Sequence, residues 1–365
     1  MRGTLDQSEF QDAVLLVQGI AQSKISNPVV ENVVLRFEKE RAEILATNLS
    51  ISIRVRLGID SAEPGEIALP AKLLGQVVRE IPHGKVDLTL EGSEFQISAG
   101  RANFRLHSVD TEDFPPFLPE VEGPVVEIPA EMAAQAIKRT VFATSEERAR
   151  FQLGGIKFSH TKGEAVWVAT DGRRLSRIKH VLDNPPAEDC SMLVPARAAQ
   201  ELLRALPGEG NLYMTVGDKR VLFDCENVTI ASTLLEDNFP PYEGLLPSDY
   251  TIEVRADRDL LNAAVRRASI LASEKTRLVH LETRDGELIV TGERQEAGDA
   301  HDELDAVVTG DPVKVSYNAS FLLECLAAVG PGQVVWGLVQ QGGAGYFSRE
   351  DDDTFLHIIM PMTVK

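Results

Sequence analysis

A chain of 365 residues, 43% hydrophobic and 25% charged, is globular and too long for one ordinary core, which points to two or three domains. Its formal net charge of −19, taken as an average, speaks against a nucleic-acid binder, and no apolar run reaches the roughly 20 residues that cross a bilayer. Only Cys190, Cys225 and Cys325 are present, without C-x-x-C spacing, which argues for a reducing cytoplasm and against a disulfide framework or zinc site.

The chain opens with "MRGTLDQSEFQDAVLL", whose mixed acidic residues do not read as a signal peptide. A helical stretch, "SEFQDAVLLVQGIAQ" (8–22), is followed by strand-like alternation in "NVVLRFEKERAEILATN" (32–48). A second, shorter helix begins in "LPAKLLGQVV" (69–78), and "VDLTLEGSEFQISAGRANFRL" (86–106) adds strands with Gly turns. After the Pro-rich "EDFPPFLP" (112–119) the order restarts with "PAEMAAQAIKRTVFA" (129–143), "GEAVWVATD" (163–171) and "VPARAAQELL" (194–203). A second Pro-rich stretch, "EDNFPPYEGLLP" (236–247), precedes a third round. That round begins with "DRDLLNAAVRRASILA" (257–272), where Leu261, Ala264, Val265 and Ala268 share one helical face, and continues through "VTGER" (290–294) and "YNASFLLECL" (317–326).

Three sets of markers keep a common spacing, the Pro-rich stretches at 112–119 and 236–247 among them. Ala71, Ala196 and Ala319 are 125 and 123 residues apart, and Thr47, Thr170 and Thr291 are 123 and 121 apart. The reading is α+β: three similar domains, 1–122, 123–247 and 248–365, each with two helices on antiparallel strands and with Pro-rich junctions.

Catalytic chemistry finds little support. Asp171 in "TDGRR" sits beside Arg173 and Arg174, but Asp-Gly after an apolar strand is first a turn signal. "QQGGAGYF" (340–347) lacks the Lys-Ser/Thr of a phosphate loop, the seven histidines never pair at metal-ligand spacing, and no G-x-S-x-G appears.

The acidic sum conceals a basic pattern. Lys72, Gln76 and Arg79 fall on one face of the 69–78 helix, with Leu73, Leu74, Val77 and Val78 opposite. Arg197, Glu201 and Arg204 repeat that spacing in the second copy, whereas Ser320 and Ala327 occupy the places of Lys72 and Arg79 in the third. First helices add Lys138, Arg139, Arg258 and Arg266. A solvated helix face explains one such stripe; two aligned copies favour a shared surface for phosphates, sequence-independent and salt-sensitive.

Taken with the three-fold repeat, "ATDGRRLS", "NFPPYEGLLP", "ASILASEK" and the closing "MPM", the whole chain resembles the bacterial DNA polymerase III β-subunit family, the sliding clamps. The resemblance implies a DNA clamp fold, closed into a ring by two chains head to tail around duplex DNA, non-catalytic and without a cofactor. It implies Lys24, Lys72, Arg79, Arg150, Arg197 and Arg204 as DNA-facing residues. For the homodimer interface it implies Arg101, Phe104, Arg105 and Leu106 against Ile270, Leu271, Glu293 and Glu296. A peptide cleft for the polymerase III catalytic subunit, the clamp loader, other polymerases and repair factors is implied at Leu153, Thr170, Gly172, Arg173, Leu175, Pro240, Leu245, Ile358, Met360, Pro361 and Met362. Arg173 departs from the family, which often has His there. Two rival readings stay open at this stage: an acidic repeat scaffold that binds peptides without DNA, and an enzyme built on Asp171.

Overall fold

The computed structural model describes residues 1–21, 28–112, 114–115, 119–294 and 296–362. Its elements recur in three rounds. The first contains β1 (Arg2–Asp6), α1 (Gln7–Ala21), β2 (Asn32–Phe37), β3 (Arg41–Thr47), β4 (Ile51–Gly58), β5 (Asp60–Glu63), β6 (Gly65–Pro70), α2 (Ala71–Glu80), β7 (Lys85–Glu91), β8 (Glu94–Ala99) and β9 (Ala102–His107). The second contains β10 (Val125–Pro129), α3 (Ala130–Thr140), β11 (Gly155–Thr161), β12 (Glu164–Thr170), β13 (Arg174–Val181), β14 (Cys190–Pro195), α4 (Ala196–Ala205), β15 (Asn211–Val216), β16 (Arg220–Cys225) and β17 (Val228–Thr233). The third contains β18 (Ile252–Asp257), α5 (Arg258–Ile270), β19 (Leu278–Arg284), β20 (Glu287–Arg294), β21 (Gly298–Thr309), β22 (Lys314–Asn318), α6 (Ala319–Val329), β23 (Gln333–Leu338), β24 (Gly345–Arg349) and β25 (Asp352–Ile359). Two α-helices per round sit on antiparallel strands, an α+β arrangement of three similar domains. Among the described residues no helix is long and apolar enough to cross a membrane.

Packing divides the chain differently from the repeats. One compact unit comprises Met1–Ala134, Asn184–Cys190 and Arg197–Leu235; the other comprises Gln135–Asp183, Ser191–Ala196 and Glu236–Lys365. The cause is strand sharing. In the first unit β17 pairs with β4, matching Ser52 to Ala231 and Ile51 to Ser232. In the second, β25 pairs with β13, matching Leu175 to Ile358 and Arg174 to Ile359. The last strand of one round thus completes the sheet of the round before it. The first unit holds a five-stranded sheet, β5-β1-β7-β8-β9, and an eight-stranded one, β10-β15-β16-β17-β4-β3-β2-β6; the second is built on a twelve-stranded sheet, β14-β11-β12-β13-β25-β24-β23-β18-β21-β20-β19-β22.

Helices bury the faces their periodicity predicts. On α5, Leu261, Ala264, Val265 and Ala268 are buried, and Asp257 caps the N-terminus by accepting the Asp259 and Leu260 amides at 2.9 Å each. On α2, Leu74, Val77 and Val78 are buried, but Leu73 is 43% exposed beside Lys72. Helices α1 and α2 meet at Gly75, where a Cβ would lie 2.5 Å from the buried Gln18 amide, so any larger residue would force Gln18 to move.

His357 on β25 is fully buried, faces Ser176 across the sheet, and its ring lies 5.4 Å from that of Phe142. Neither ring nitrogen has a hydrogen-bond partner among the described residues. Burial, aided by the nearby Arg174 charge, pulls its pKa from 6.5 down to about 3. The folded chain therefore keeps His357 neutral where the unfolded chain binds a proton. Its stabilising contribution is full above pH 6.5 and declines as pH falls from 6.5 toward 3. Between pH 6.5 and 5 that loss amounts to about 2 kcal/mol. Denaturant unfolding of wild type and His357→Leu at pH 7.5 and 5 should show a smaller loss of stability in the variant; equal losses would refute the assignment.

Candidate functional site

Strands β12 and β13 are joined by a tight turn in the second unit. Thr170 Oγ1 donates to the Arg174 carbonyl at 2.6 Å and accepts the Gly172 amide at 3.1 Å. Asp171 Oδ1 accepts the Arg173 and Arg174 amides at 2.9 and 3.1 Å, and Gly172 takes φ of +85°, which glycine adopts freely. The Arg174 guanidinium then ties the turn to the core. It donates to Asp171 Oδ2 at 3.1 Å and to the Phe142 carbonyl at 2.6 Å, pairs with Glu324, and lies over the Phe321 ring at 4.2 Å. The Asp171 carboxylate is therefore committed to structure, as the turn signal in the sequence suggested.

Beside this turn lies an apolar surface. Leu175 and Ile358, cross-strand neighbours, form a buried cluster with Val166 and Val168. Phe239, Tyr242, Leu246, Ala344, Tyr346 and Leu356 pack on it while remaining partly open. The chain leaves β25 in register, with the Met360 amide donating to the Arg173 carbonyl at 2.9 Å and the Met362 amide to the Ser316 carbonyl at 2.8 Å. Met360 is half exposed, and Pro361 and Met362 are partly buried. A flexible thioether held at the rim of an apolar patch suits a surface that repacks around its ligand.

The predicted cleft residues are distributed unevenly around it. Thr170, Gly172, Arg173, Leu175, Ile358 and Met360 converge on the turn and strand end. Leu153 is buried, and its carbonyl accepts the Ser145 amide at 2.8 Å. Pro240 and Leu245 are exposed, and the neighbouring Leu246 makes the packing contact expected of Leu245. Arg150, expected on the DNA-facing surface, contacts this turn. Its Nη1 donates to the Asp171 carbonyl at 3.1 Å and its Nε pairs with Glu147 at 3.4 Å, so it braces the turn. Tyr242, Val166, Val168, Tyr346 and Leu356 were not anticipated; strand alternation in β12 was the available signal.

The basic residues of the first unit are exposed: Lys72, Arg79, Arg197 and Arg204. Three of them are partly engaged. Arg79 donates to the Gly75 carbonyl at 2.8 Å and to Gln18 at 3.2 Å; Arg197 donates to the Gly19 carbonyl at 3.0 Å; Arg204 pairs with Glu201 at 3.2 Å. Glu201 is buried, so the second stripe is a pair of arginines flanking a covered acid rather than one open face. In the second unit Arg139 is buried too, paired with Asp352 at 2.6 Å and set over Phe355, which removes it from the basic surface. Lys24 lies outside the described residues.

Strands β9 and β21 are among those with an edge that has no second partner among the described residues. Strand β9 ends the five-stranded sheet, with Leu106 buried, Phe104 partly buried, and Arg101 beside it and Arg105 exposed. Strand β21 pairs with β20 from Gly298 to Asp305, but with β18 only from Ala306 to Thr309. Near that open edge Ile270 is 73% exposed, Leu271 is partly buried, and Glu293 and Glu296 are exposed.

Family profiles of the DNA polymerase III beta subunit match in chain order: the N-terminal domain over residues 1–119, the central domain over 127–241 and the C-terminal domain over 243–363. The chain belongs to this family. Among curated relatives, the beta sliding clamp of Pseudomonas aeruginosa is 28% identical over 99% of this chain and 100% of its own, and that of Synechocystis is 26% identical over 98% and 97%. The crystal structure of the P. aeruginosa clamp bound to griselimycin covers both chains fully at 28% identity and a TM-score of 0.94. The Thermotoga maritima β subunit, at 19% identity and a TM-score of 0.93 over both full chains, shares the fold. Sliding clamps are non-catalytic, so this β-subunit chain is not an enzyme, and the DNA-free scaffold reading is not favoured. For a β-subunit chain, Asp171 is a turn residue and should behave as one. Asp171→Ala should lower stability by about 2 kcal/mol in denaturant unfolding through lost amide and Arg174 bonds, and Asp171→Asn by about half as much. Identical unfolding midpoints for all three chains would contradict that role.

Proposed function

We propose that two copies of this chain close head to tail into a ring that encircles duplex DNA and tethers the replicative polymerase and other DNA-processing proteins. Domains close to 1–122, 123–247 and 248–365 would be its units. The observation that carries the reading is the repeated strand join. Strand β17 completes β4 and β25 completes β13, which leaves the equivalent last strand, β9, and the equivalent fourth strand, β21, with open edges. An open donor and an open acceptor of the same kind on one chain form a heterologous contact, and such contacts close into rings when the rotation allows. Charge supports the pairing: Arg101 and Arg105 accompany β9, while Asp299, Asp302, Glu303 and Asp305 line β21 near Glu293 and Glu296.

Enclosure rather than contact energy retains such a ring on DNA, so a chain of net charge −19 needs only a local basic lining. Lys72, Arg79, Arg197 and Arg204 supply it, meeting phosphates without reading bases. The Met360 groove takes a short segment with a Gln followed by hydrophobic residues, through which the polymerase III catalytic subunit, the clamp loader, other polymerases and repair factors dock. No cofactor takes part, and the working place is the cytoplasm, on the nucleoid.

Light scattering at micromolar concentration should give twice the chain mass, and Arg101→Glu/Arg105→Glu should shift it toward monomer; a monomeric wild type would overturn the ring. Charge reversal of Lys72, Arg79, Arg197 and Arg204 together should reduce retention on nicked circular DNA, and unchanged retention at low salt would remove those residues from the lining. A labelled Gln-x-hydrophobic pentapeptide should bind Met360→Ala roughly tenfold more weakly than wild type.

A further inference from the structure

The Thr170 turn has a close structural copy in the first unit. Thr47 Oγ1 donates to the Ile51 carbonyl at 3.2 Å and accepts the Leu49 amide at 3.1 Å, as Thr170 does with Arg174 and Gly172. Asn48 Oδ1 accepts the Ser50 and Ile51 amides at 3.1 and 2.8 Å, in the role of Asp171. Leu49 takes φ of +73° where Gly172 takes +85°. The Thr233 amide donates to the Ser50 carbonyl at 2.9 Å, as the Met360 amide does to the Arg173 carbonyl. Pro115 of "FPP" occupies the place of Pro240. A leucine in the left-handed region is strained by about 1 kcal/mol, and here it stands 55% exposed at the rim of a cavity of about 220 Å³.

The copy keeps the backbone and changes the lining. Ser52 stands for Leu175, Ala231 for Ile358 and Thr233 for Met360, matched through the β4–β17 and β13–β25 registers. Arg220, across the sheet from Thr233, also lines the cavity. The inner hydroxyls are already committed: Thr47 and Ser52 bond each other at 2.8 Å, and Ser232 donates to the Thr233 carbonyl at 3.0 Å. The exposed Arg220, Ser50 and Thr233 side chains have no hydrogen bond or ion pair among the described residues. Among the described residues no carboxylate lines this cavity, although the chain carries 56 Asp and Glu residues. A donor-rich, acid-free recess with a free guanidinium selects an anion.

We propose that the Thr47 turn forms a second binding cleft, specific for an extended protein segment that presents one Asp or Glu carboxylate between small residues. Arg220, Ser50 and Thr233 bind the carboxylate, and the recess, smaller than pockets for whole ligands, accepts one or two side chains. Only the extended form of the ligand rests on the peptide-groove reading of the Met360 site; the preference for an acid rests on the lining itself.

Fluorescence anisotropy of a fluorescein-labelled Gly-Ser-Glu-Ser-Gly peptide against the full chain tests this in 150 mM salt, where surface charges are largely screened. Saturable binding is expected, weakened at least tenfold by Arg220→Ala and by replacing the peptide's Glu with Gln, and unaffected by Met360→Ala. Arg220 is exposed, so that variant keeps the fold. Absence of saturable binding, indifference to Arg220→Ala, or equal weakening by Met360→Ala would each overturn the proposal. Displacement by inorganic phosphate at the same concentration would equally overturn it, reducing the recess to a simple anion site. A Gln-x-hydrophobic probe run in parallel reports on the Met360 groove alone, so failure of one site is distinguishable from failure of the other.

Discussion

The constraint on which the rest of the molecule depends is that no repeat can finish its own sheet. The last strand of a round finds its partner in the fourth strand of the preceding round, by β17 on β4 and by β25 on β13. A strand edge left open is a row of unsatisfied backbone donors and acceptors, and joining repeats through such edges makes each junction continuous sheet rather than loosely docked domains. Compact packing follows these sheets and not the repeat boundaries, which is why the middle repeat is apportioned between the two units.

The same join creates the Thr170 and Thr47 turns. Where a last strand comes alongside a fourth strand, the turn entering the latter and the exit from the former are brought together, as Arg173 and Met360 are in one junction and Ser50 and Thr233 in the other. Backbone geometry is common to both; side chains decide the chemistry. Leu175, Ile358 and Met360 make one junction apolar, and Ser52, Ala231 and Thr233 make the other polar. Duplication of a scaffold followed by divergence of its lining is an economical way to obtain distinct sites from one fold.

Much of this was legible in the sequence, wherever the signal was local. Periodicity gave the buried face of α5 residue for residue, and Asp-Gly gave the Thr170 turn. Periodicity failed where a partner distant in sequence decided burial. Glu201 is covered because α4 packs near Gly19 of α1, and Arg139 because Asp352 lies beside it. Leu245 and Leu246 are alike in type, and only packing on the Val166, Val168, Leu175 and Ile358 cluster separates them. The repeat spacing showed that three domains exist but not that their sheets interlock, because strand partnership over such separations leaves no local trace.

The central claim is that β9 and the 298–305 edge of β21 meet in a second copy. Amide hydrogen exchange tests it most directly, comparing micromolar wild type with Arg101→Glu/Arg105→Glu. The account predicts slow exchange along Ala102–His107 and Gly298–Asp305 in wild type, lost at both edges together in the variant, with β17 and β25 unchanged. Fast exchange at either edge in wild type, or loss at one edge without the other, would contradict it.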